Sequence, residues 1–542
     1  MSVTVRSPER RTAEGRQTLS VLVLARNEAH RIAACLERVA WADELLVVDD
    51  LSTDATFEIS RRCGASVAQR RFDTFANQAN FGLDRLSGDW VLSLDADELV
   101  SPELTASIQA ALRQPSDYVG FTFKRCNFFL GHRMRYGGWY HDAFHLFKRS
   151  AGRFVGDVHY APQVSGPIGH LVGDVEHYPF QSLEQFVERQ NRYTTMEAQA
   201  FRREHPRLPA RRLRGRLCVR PIKLFRKSYV KKAGRREGMH GLVFGLLFAW
   251  VEFLKWAKYW ALGLPKERET APARAVSDGR AASAPRARLS VVVLTKNEER
   301  QIARCLESAQ WADEMIVVDG ESADRTADIC RSYGAAVISH PFSGDFGQER
   351  NIGNEAASGD WILQLDADDR VSDELRAQIE IILREDPPYA AYKFRRKNWF
   401  LGREMRYGGW YHYYPHLFRR GRAHFEGRVH HLLRTDGPMG TLEGALEHHP
   451  FESLEQFIAK HNRYTSIEAQ ELLERQGVPE LRLVREQLCR KPLKLFWKTY
   501  VKKQGFREGW HGFVFSVLFA WVHFLKWAKY WELCQRQGGR LG

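Results

Sequence analysis

The chain has 542 residues, too many for one hydrophobic core, so two or more domains are expected. Its 44% hydrophobic and 12% aromatic content excludes a disordered chain, and eight cysteines without a CxxC pair exclude a disulfide framework or zinc ribbon and suit reduced thiols in a cytosolic protein. The formal net charge of +15 is unevenly spread: Arg202 to Arg236 holds fifteen Lys and Arg against one acid, Glu204. Such a block meets phosphates of nucleic acid, anionic lipid or a phosphorylated glycan, or else is a solvated helix face.

Residues 1–18 are polar and lack the apolar core of a signal peptide. Leu19–Leu24 is a short apolar run that predicts a buried strand, followed by helical spacing over Glu28–Val39 (Ile32, Leu36, Val39). Strands are expected at Glu44–Val48, Ser66–Gln69 and Trp90–Leu94, with helices at Thr53–Cys63 and Ala76–Leu86 between them. This alternation predicts an α/β fold with a mostly parallel central sheet covered on both faces. Sites in such sheets lie beyond the carboxyl ends of the strands. Asn27-Glu28, Asp49-Asp50 and Asp95 to Asp97 all fall there.

The whole pattern recurs. "LSVLVLARNEAHRIAACLERVAWADELLVVDD" from Leu19 returns from Leu289 as "LSVVVLTKNEERQIARCLESAQWADEMIVVDG". The register then carries Asp95 onto Asp366, Tyr136 onto Tyr407, Asn191 onto Asn462 and Trp260 onto Trp531. Such whole-domain duplication predicts a tail at 1–18, a first domain at 19–261, an Ala/Pro/Arg-rich linker at 262–288, a second domain at 289–533 and a tail at 534–542.

Asp95 and Asp97 are two apart at a strand end, so they project to one side, as do Asp366 and Asp368. Paired carboxylates repel unless a cation or proton intervenes, and Mg²⁺ or Mn²⁺ with phosphate oxygens answers that need. Ser101-Pro102-Glu103 accounts for a helix cap but not for the two aspartates. No GxGxxG or GxxxxGK[ST] is present, so dinucleotide and P-loop sites find no support.

"SVLVLARNE", "ELLVVDDLSTDAT" and "GDWVLSLDADE", with their counterparts "SVVVLTKNE", "EMIVVDGESADRT" and "GDWILQLDADD", resemble family-2 glycosyltransferases of the GT-A fold. "NFFLGHRMRYGGWY" and "FVERQNRYTTMEAQ", also repeated, resemble the lipopolysaccharide core β-1,4-glucosyltransferase branch. The resemblance implies two tandem GT-A domains, each an inverting hexosyltransferase using a UDP-sugar, a divalent metal and a lipid-linked glycan acceptor. It implies that Arg26, Asn27 and Glu28 line the nucleotide pocket, Asp49 meets the base, Asp54 supports that loop, Asp95 approaches ribose and metal, and Asp97 ligates the metal. The matching set is Lys296, Asn297, Glu298, Asp319, Asp324, Asp366 and Asp368, so two intact sites are expected.

An inverting transfer needs a general base. Relatives of this branch carry an acid after GGWY and then a VHE-like triplet. The first copy keeps Asp142 but places Tyr160 in the triplet, and the second has Tyr413 and His431 at these positions. His159 and His430, Glu176 and His177, and Glu447 and His448 are the remaining candidates, with packing or acceptor-phosphate binding as the rival role for the histidines. His141 and His145, repeated as His412 and His416, lack a third ligand at metal spacing and read as acceptor contacts or core histidines rather than zinc ligands.

Each copy closes on an apolar, aromatic stretch. Gly241–Trp260 is interrupted only by Glu252, Lys255 and Lys258, one narrow polar stripe that recurs as His523, Lys526 and Lys529. Its uninterrupted apolar run is shorter than the roughly 20 residues that span a bilayer. Trp with Lys beside a basic block suits a helix resting on the inner face of the cytoplasmic membrane, while a helix docked in its own fold is the competing reading. The non-enzymatic alternatives are a peripheral membrane protein or a nucleic-acid binder, the latter without any accompanying motif. One copy catalysing while the other binds is a further alternative.

Overall fold

The computed structural model describes residues 16–114, 116–156, 161–265, 286–410, 412–427 and 432–538. His159, Tyr160, His430, His431 and most of the 262–288 linker therefore lie outside the described residues. The chain packs as two compact units. The first runs to Ser182 and includes Cys218–Glu252, and the second comprises Leu183–Leu217 and everything from Phe253.

In the first unit four parallel strands lie in the order Ser66–Gln69, Glu44–Asp49, Leu19–Ala25, Trp90–Asp95. The sheet continues through Tyr140–Lys148 and Gly120–Phe129, both antiparallel pairings, then Ile168–His177, parallel to Gly120–Phe129. Glu98–Val100 closes the edge, antiparallel to Ile168–His177. Leu19, Val21 and Val23 pack on one face with Ile32, Leu36 and Ile108, while Leu22 packs on the other with Ala79, Leu83 and Phe147. Burial on both faces is why these strands read as continuous apolar runs. Gly88 crosses close over the central strand: its N–H donates to Ser20 Oγ at 2.9 Å, and a Cβ there would lie 2.5 Å from that oxygen.

The second unit repeats the sheet in the order Ala336–Ser339, Glu314–Asp319, Leu289–Thr295, Trp361–Asp366, His412–Arg419, Ala391–Phe400, Met439–His448, Asp369–Val371. The α/β, mostly parallel expectation holds in both units, with strand limits within one residue of those read from the sequence. The eight cysteines are all free thiols.

The RYGGWY segment is a clasp. Gly137 and Gly138 adopt φ of 85° and 87°, a conformation open to glycine, and Gly137 N–H donates to Lys232 O at 2.8 Å. The buried Glu237 carboxylate accepts the Arg135 and Tyr136 N–H groups at 2.7 and 2.6 Å, and Trp139 packs on Phe244. Glu508 and Trp410 repeat this in the second unit, on Arg406, Tyr407 and Phe515.

The C-terminal helices correct one expectation. Gly234–Ala261 and Gly505–Arg536 are long and apolar enough to cross a membrane by length and composition, yet 61% of each apolar window is buried inside the fold. The polar stripe does not face outward. Glu252 pairs with Arg220 at 2.5 Å within the first unit. In the second unit Lys258 Nζ donates to Asn191 O, Asn191 Oδ1 and Thr195 Oγ1 at 2.5 to 2.6 Å. Lys529 does the same to Asn462 O, Asn462 Oδ1 and Ser466 Oγ. The stripe is turned inward because three acceptors absorb the three protons of an ammonium. The two asparagines also exchange bonds across helices Leu183–Glu204 and Leu454–Gln476: Asn191 Nδ2 donates to Glu455 O at 3.0 Å and Asn462 Nδ2 to Glu184 O at 2.9 Å.

Burial pushes Lys258 down to about 7 and Lys529 down to about 8, with Glu455 near the first and Glu184 and Glu532 near the second. Unfolded lysines titrate higher, so from about pH 8 to pH 10 the unfolded chain holds more protons and stability rises with pH. Lys258→Met and Lys529→Met each leave buried acceptors unpaired and lower stability by about 1–3 kcal/mol. Denaturant titrations at both ends of that window are expected to show the wild-type rise flattened in the double variant.

Candidate active site

Beyond the ends of the parallel strands the loops are held by short-range hydrogen bonds. Asn27 and Asn297, both at φ 55°, follow the central strand of each unit. Asn27 Oδ1 accepts Thr53 N–H at 2.8 Å and its own N–H donates to Ser52 Oγ at 2.9 Å. Asn297 does the same with Ala323 N–H and Ser322 Oγ. Asp54 accepts Ala29 N–H and Thr56 N–H, and Asp324 accepts Glu299 N–H and Thr326 N–H. Burial works upward on both carboxyls, but the bonds from their threonines hold them below the ordinary value. Asp54 and Asp324 thus each tie two loop N–H groups together.

Asp49 and Asp319 are buried at the strand ends, where Asp49 accepts from Ser52 and from Gln69 Nε2 at 3.0 Å, and Asp319 accepts from Ser322. Arg26 Nη1 reaches Asp50 at 2.6 Å; Gly320 stands at that position in the second unit, where Lys296 Nζ lies 5.9 Å from the Phe342 ring centroid. Burial and the Asp368 charge push Glu298 up to about 7.

The carboxylate cluster is denser than its two aspartates. In the first unit Arg125, from strand Gly120–Phe129, sits 2.8 Å from Glu98 and 3.6 Å from Asp95. Glu98 Oε2 also accepts the Asp95 N–H at 3.0 Å. Asp97 lies 3.8 Å from Arg31 Nη1 and 3.5 Å from His177 Nε2. A cavity of about 440 Å³ opens beside it, lined by His30, Arg31, Asp97, Leu130, Tyr178 and Phe180 among others.

In the second unit Arg396 grips Asp369 at 2.7 Å and Asp366 at 2.8 Å. Arg350 closes on the other oxygen of Asp366, and Lys460 lies 3.3 Å from Asp368. Burial works upward on Asp366, but Arg350 and Arg396 hold its carboxyl well below the usual range. Burial pushes Asp369 up to about 7 despite Arg396. The first unit has Ala79 where Arg350 stands, and Arg31 where the second has Gln301.

The histidine beside each DxD is oriented by its neighbour. His448 Nδ1 lies 2.6 Å from Asn398 Oδ1, whose own amide donates to Trp410 O. That bond places the ring proton on Nδ1 and leaves a lone pair on Nε2. Nε2 faces Asp368 Oδ1 at 3.5 Å, and this buried oxygen receives no hydrogen bond. Burial and the Arg396 charge push His448 down to about 4, so it is a neutral imidazole. His177, Asn127 and Trp139 repeat the arrangement in the first unit.

The sequence profile of glycosyl transferase family 2 matches residues 20–165 and 290–436, the two segments that carry these strand ends. The chain belongs to glycosyl transferase family 2. An uncharacterized glycosyltransferase of Rickettsia typhi is 32% identical over 262 residues, 45% of this chain and 87% of the relative. A lipopolysaccharide core biosynthesis glycosyltransferase, LpsC of Rhizobium meliloti, is 26% identical over 265 residues, 46% of this chain and 93% of the relative. Among solved structures, S. aureus TarS 1-349 in complex with UDP is 17% identical, with a TM-score of 0.25, covering 46% of this chain and 92% of that one. Each relative is thus matched nearly end to end by less than half of this family 2 chain.

Asp368, Asp369 and His448 present ligand atoms within 4.8 Å of one another. Asp368 Oδ1 and His448 Nε2 lie 3.5 Å apart beside Asp369, an oxygen and imidazole set that fits a divalent cation. The sequence pointed to His177 and His448 as base candidates; their pairing with the DxD motif is what it missed. The two Asp366 oxygens face the guanidinium groups of Arg350 and Arg396.

The other base candidates scatter. Asp142 is half exposed at 2.9 Å from Lys124, whose ammonium holds its carboxyl below the ordinary value. Tyr413, at the same register in the second unit, accepts from Arg395 at 2.8 Å. Glu176 neighbours His177 on a strand and therefore faces the other way, accepting from Tyr178 at 3.2 Å. Glu447 is held low by a hydrogen bond from His449. His145 and His416 bond the Ser93 and Gln364 carbonyls as core histidines, and burial holds them neutral, down to about 4 and about 3.

Asp368→Asn or His448→Ala is expected to weaken Mn²⁺ binding by at least about tenfold, whereas Arg350→Ala, which relieves Asp366 of one guanidinium, strengthens it. Titration of the nucleotide-free protein by electron paramagnetic resonance checks both directions.

Proposed function

We propose that this family 2 glycosyltransferase moves a hexose, glucose by the resemblance, from a UDP-sugar with inversion onto a lipid-linked or lipopolysaccharide core glycan. The setting is the inner face of the cytoplasmic membrane. The observation that carries the reading is a carboxylate–imidazole pair, Asp97 with His177 and Asp368 with His448, each beyond a parallel strand end. The core-biosynthesis relative supports the acceptor class. The domain limits at 19–261 and 289–533, the linker between them and the two tails belong to this proposal.

Asp97, Asp368 and their histidines would hold Mg²⁺ or Mn²⁺, which when bound supplies charge neutralisation for the sugar diphosphate. Arg125 and Arg396 keep the neighbouring carboxylates aligned. Arg26, Asn27 and Glu28, with Lys296, Asn297 and Glu298, would line the nucleotide pocket, with Asp49 and Asp319 at the base and Asp95 and Asp366 toward the ribose. Asp142, kept ionised by Lys124, is the base we favour in the first unit.

A second reading is favoured by two observations. Tyr413 replaces the carboxylate of Asp142, and Arg350 engages Asp366. The first unit would then catalyse while the second binds donor or acceptor.

UDP release with Mg²⁺ or Mn²⁺ tests both. Asp97→Ala or Asp142→Asn is expected to lower kcat at least about 100-fold if the first unit alone catalyses, and only about twofold if both units turn over. Asp368→Ala lowers it about twofold if both units turn over, with Asp97→Ala added abolishing the remainder, and shifts KM alone if the second only binds. Absence of turnover with any UDP-sugar, and of any rise in Tm on adding one, overturns the donor assignment.

A further inference from the structure

The basic segment carries a feature that the transfer chemistry does not use. Helical residues run from Ala210 to Lys231, and again from Leu481 to Lys502, each run broken by π-helical turns at the same two repeat positions. These stretches lie outside the segments matched by the family profile. Their inner side is anchored: Phe225 stacks on Tyr229, and Phe496 stacks on Tyr500 and meets Phe513.

Their outer side presents large apolar residues to solvent. Ile222 is 69% exposed and Leu493 is 71% exposed, the two most exposed large hydrophobic residues described, and they occupy one and the same repeat position. Trp497, four residues after Leu493 and on the same helix face, is 56% exposed. Exposing an aliphatic side chain forgoes roughly 1.5–3 kcal/mol of burial, and the chain does it at this position in both copies.

The surroundings are cationic. Lys223, Arg226 and Lys227 stand exposed around Ile222, and Lys491, Lys494 and Lys498 around Leu493 and Trp497. Among the described residues no carboxylate holds Lys223, Arg226, Lys227, Lys494 or Lys498. Arg220 is paired with Glu252, and the exposed Glu486 is the one acid between Leu481 and Lys502.

We propose that these two outer faces, and not the long C-terminal helices, are the membrane-docking surfaces. Ile222 in the first unit, and Leu493 with Trp497 in the second, insert at the headgroup boundary of a bilayer rich in anionic lipid. The lysine and arginine collars neutralise its surface. An apolar tip inside a basic collar matches the two attractions that hold interfacial segments, buried hydrocarbon and anionic headgroups. A single-stranded nucleic acid would use the collar, but base stacking needs an aromatic face, which the first copy, with Ile222 and Arg226 at these positions, does not offer. The inference deepens the lipid-linked acceptor reading and rests on it for its purpose.

Flotation of the full chain with vesicles separates the two, because it needs neither donor nor acceptor. Binding is expected to phosphatidylcholine vesicles containing phosphatidylglycerol, to be weak on phosphatidylcholine alone, and to fall with salt. Ile222→Asp with Leu493→Asp lowers partitioning about tenfold or more, with Tm and UDP release in detergent unchanged. Leu493→Phe retains binding, and Lys494→Glu with Lys498→Glu weakens it. Equal flotation by the aspartate double variant overturns the proposal. So does tighter binding to a DNA or RNA duplex that this variant leaves intact, or a change in its oligomeric state by light scattering.

Discussion

Three carboxylates within four residues, at the end of a strand buried on both faces, are the constraint around which each unit is built. Two such charges about 4 Å apart repel by roughly 4 kcal/mol at the effective dielectric of a protein. The fold answers with one arginine from another strand of the sheet: Arg125 is laid against two of the three, and Arg396 lies within 3.9 Å of all three. Glu98 and Asp369 then turn back to cap the N–H of the first aspartate, and so shape the tight turn after the strand. The remaining aspartate, Asp97 or Asp368, is flanked by Arg31 or Lys460 and lies 3.5 Å from an imidazole Nε2.

The two copies balance that charge differently. The first has Arg31 on the Asp97 side; the second has Lys460 on the matching Asp368 side, Gln301 in place of that arginine, and a further cation, Arg350, on Asp366. The added guanidinium on the first aspartate is what sets the second unit apart. Together with Asp142 against Tyr413, this makes the copies alike in fold and unlike in the electrostatics of the site.

The strands, the repeat and the strand-end placement of the aspartates were legible because each rests on neighbours in sequence: apolar runs, Asx-type loops and a two-residue side-chain period. What escaped depends on distant partners. The stripe Glu252, Lys255, Lys258 reads as a surface when seen alone; only Asn191 and Thr195, more than sixty residues earlier, show it to be internal. His177 and His448 stood out as chemistry-bearing residues, yet their role depends on Asn127 and Asn398 fixing the tautomer. Arg350 looks like any helix arginine until Asp366 is placed beside it. The GGW motif is a backbone clasp on a buried glutamate that lies about a hundred residues further on.

Helix Leu183–Glu204 lies in the first repeat by sequence but in the second unit by packing, where Asn191 and Asn462 exchange bonds with opposite backbone carbonyls. A gene fragment cut in the linker would therefore yield a second repeat stripped of a helix that completes its packing. The two repeats can be read apart on paper, but they cannot be expressed apart without leaving the Asn462 amide and a helix face uncovered. Duplication here has made a protein that is no longer divisible at its own seam.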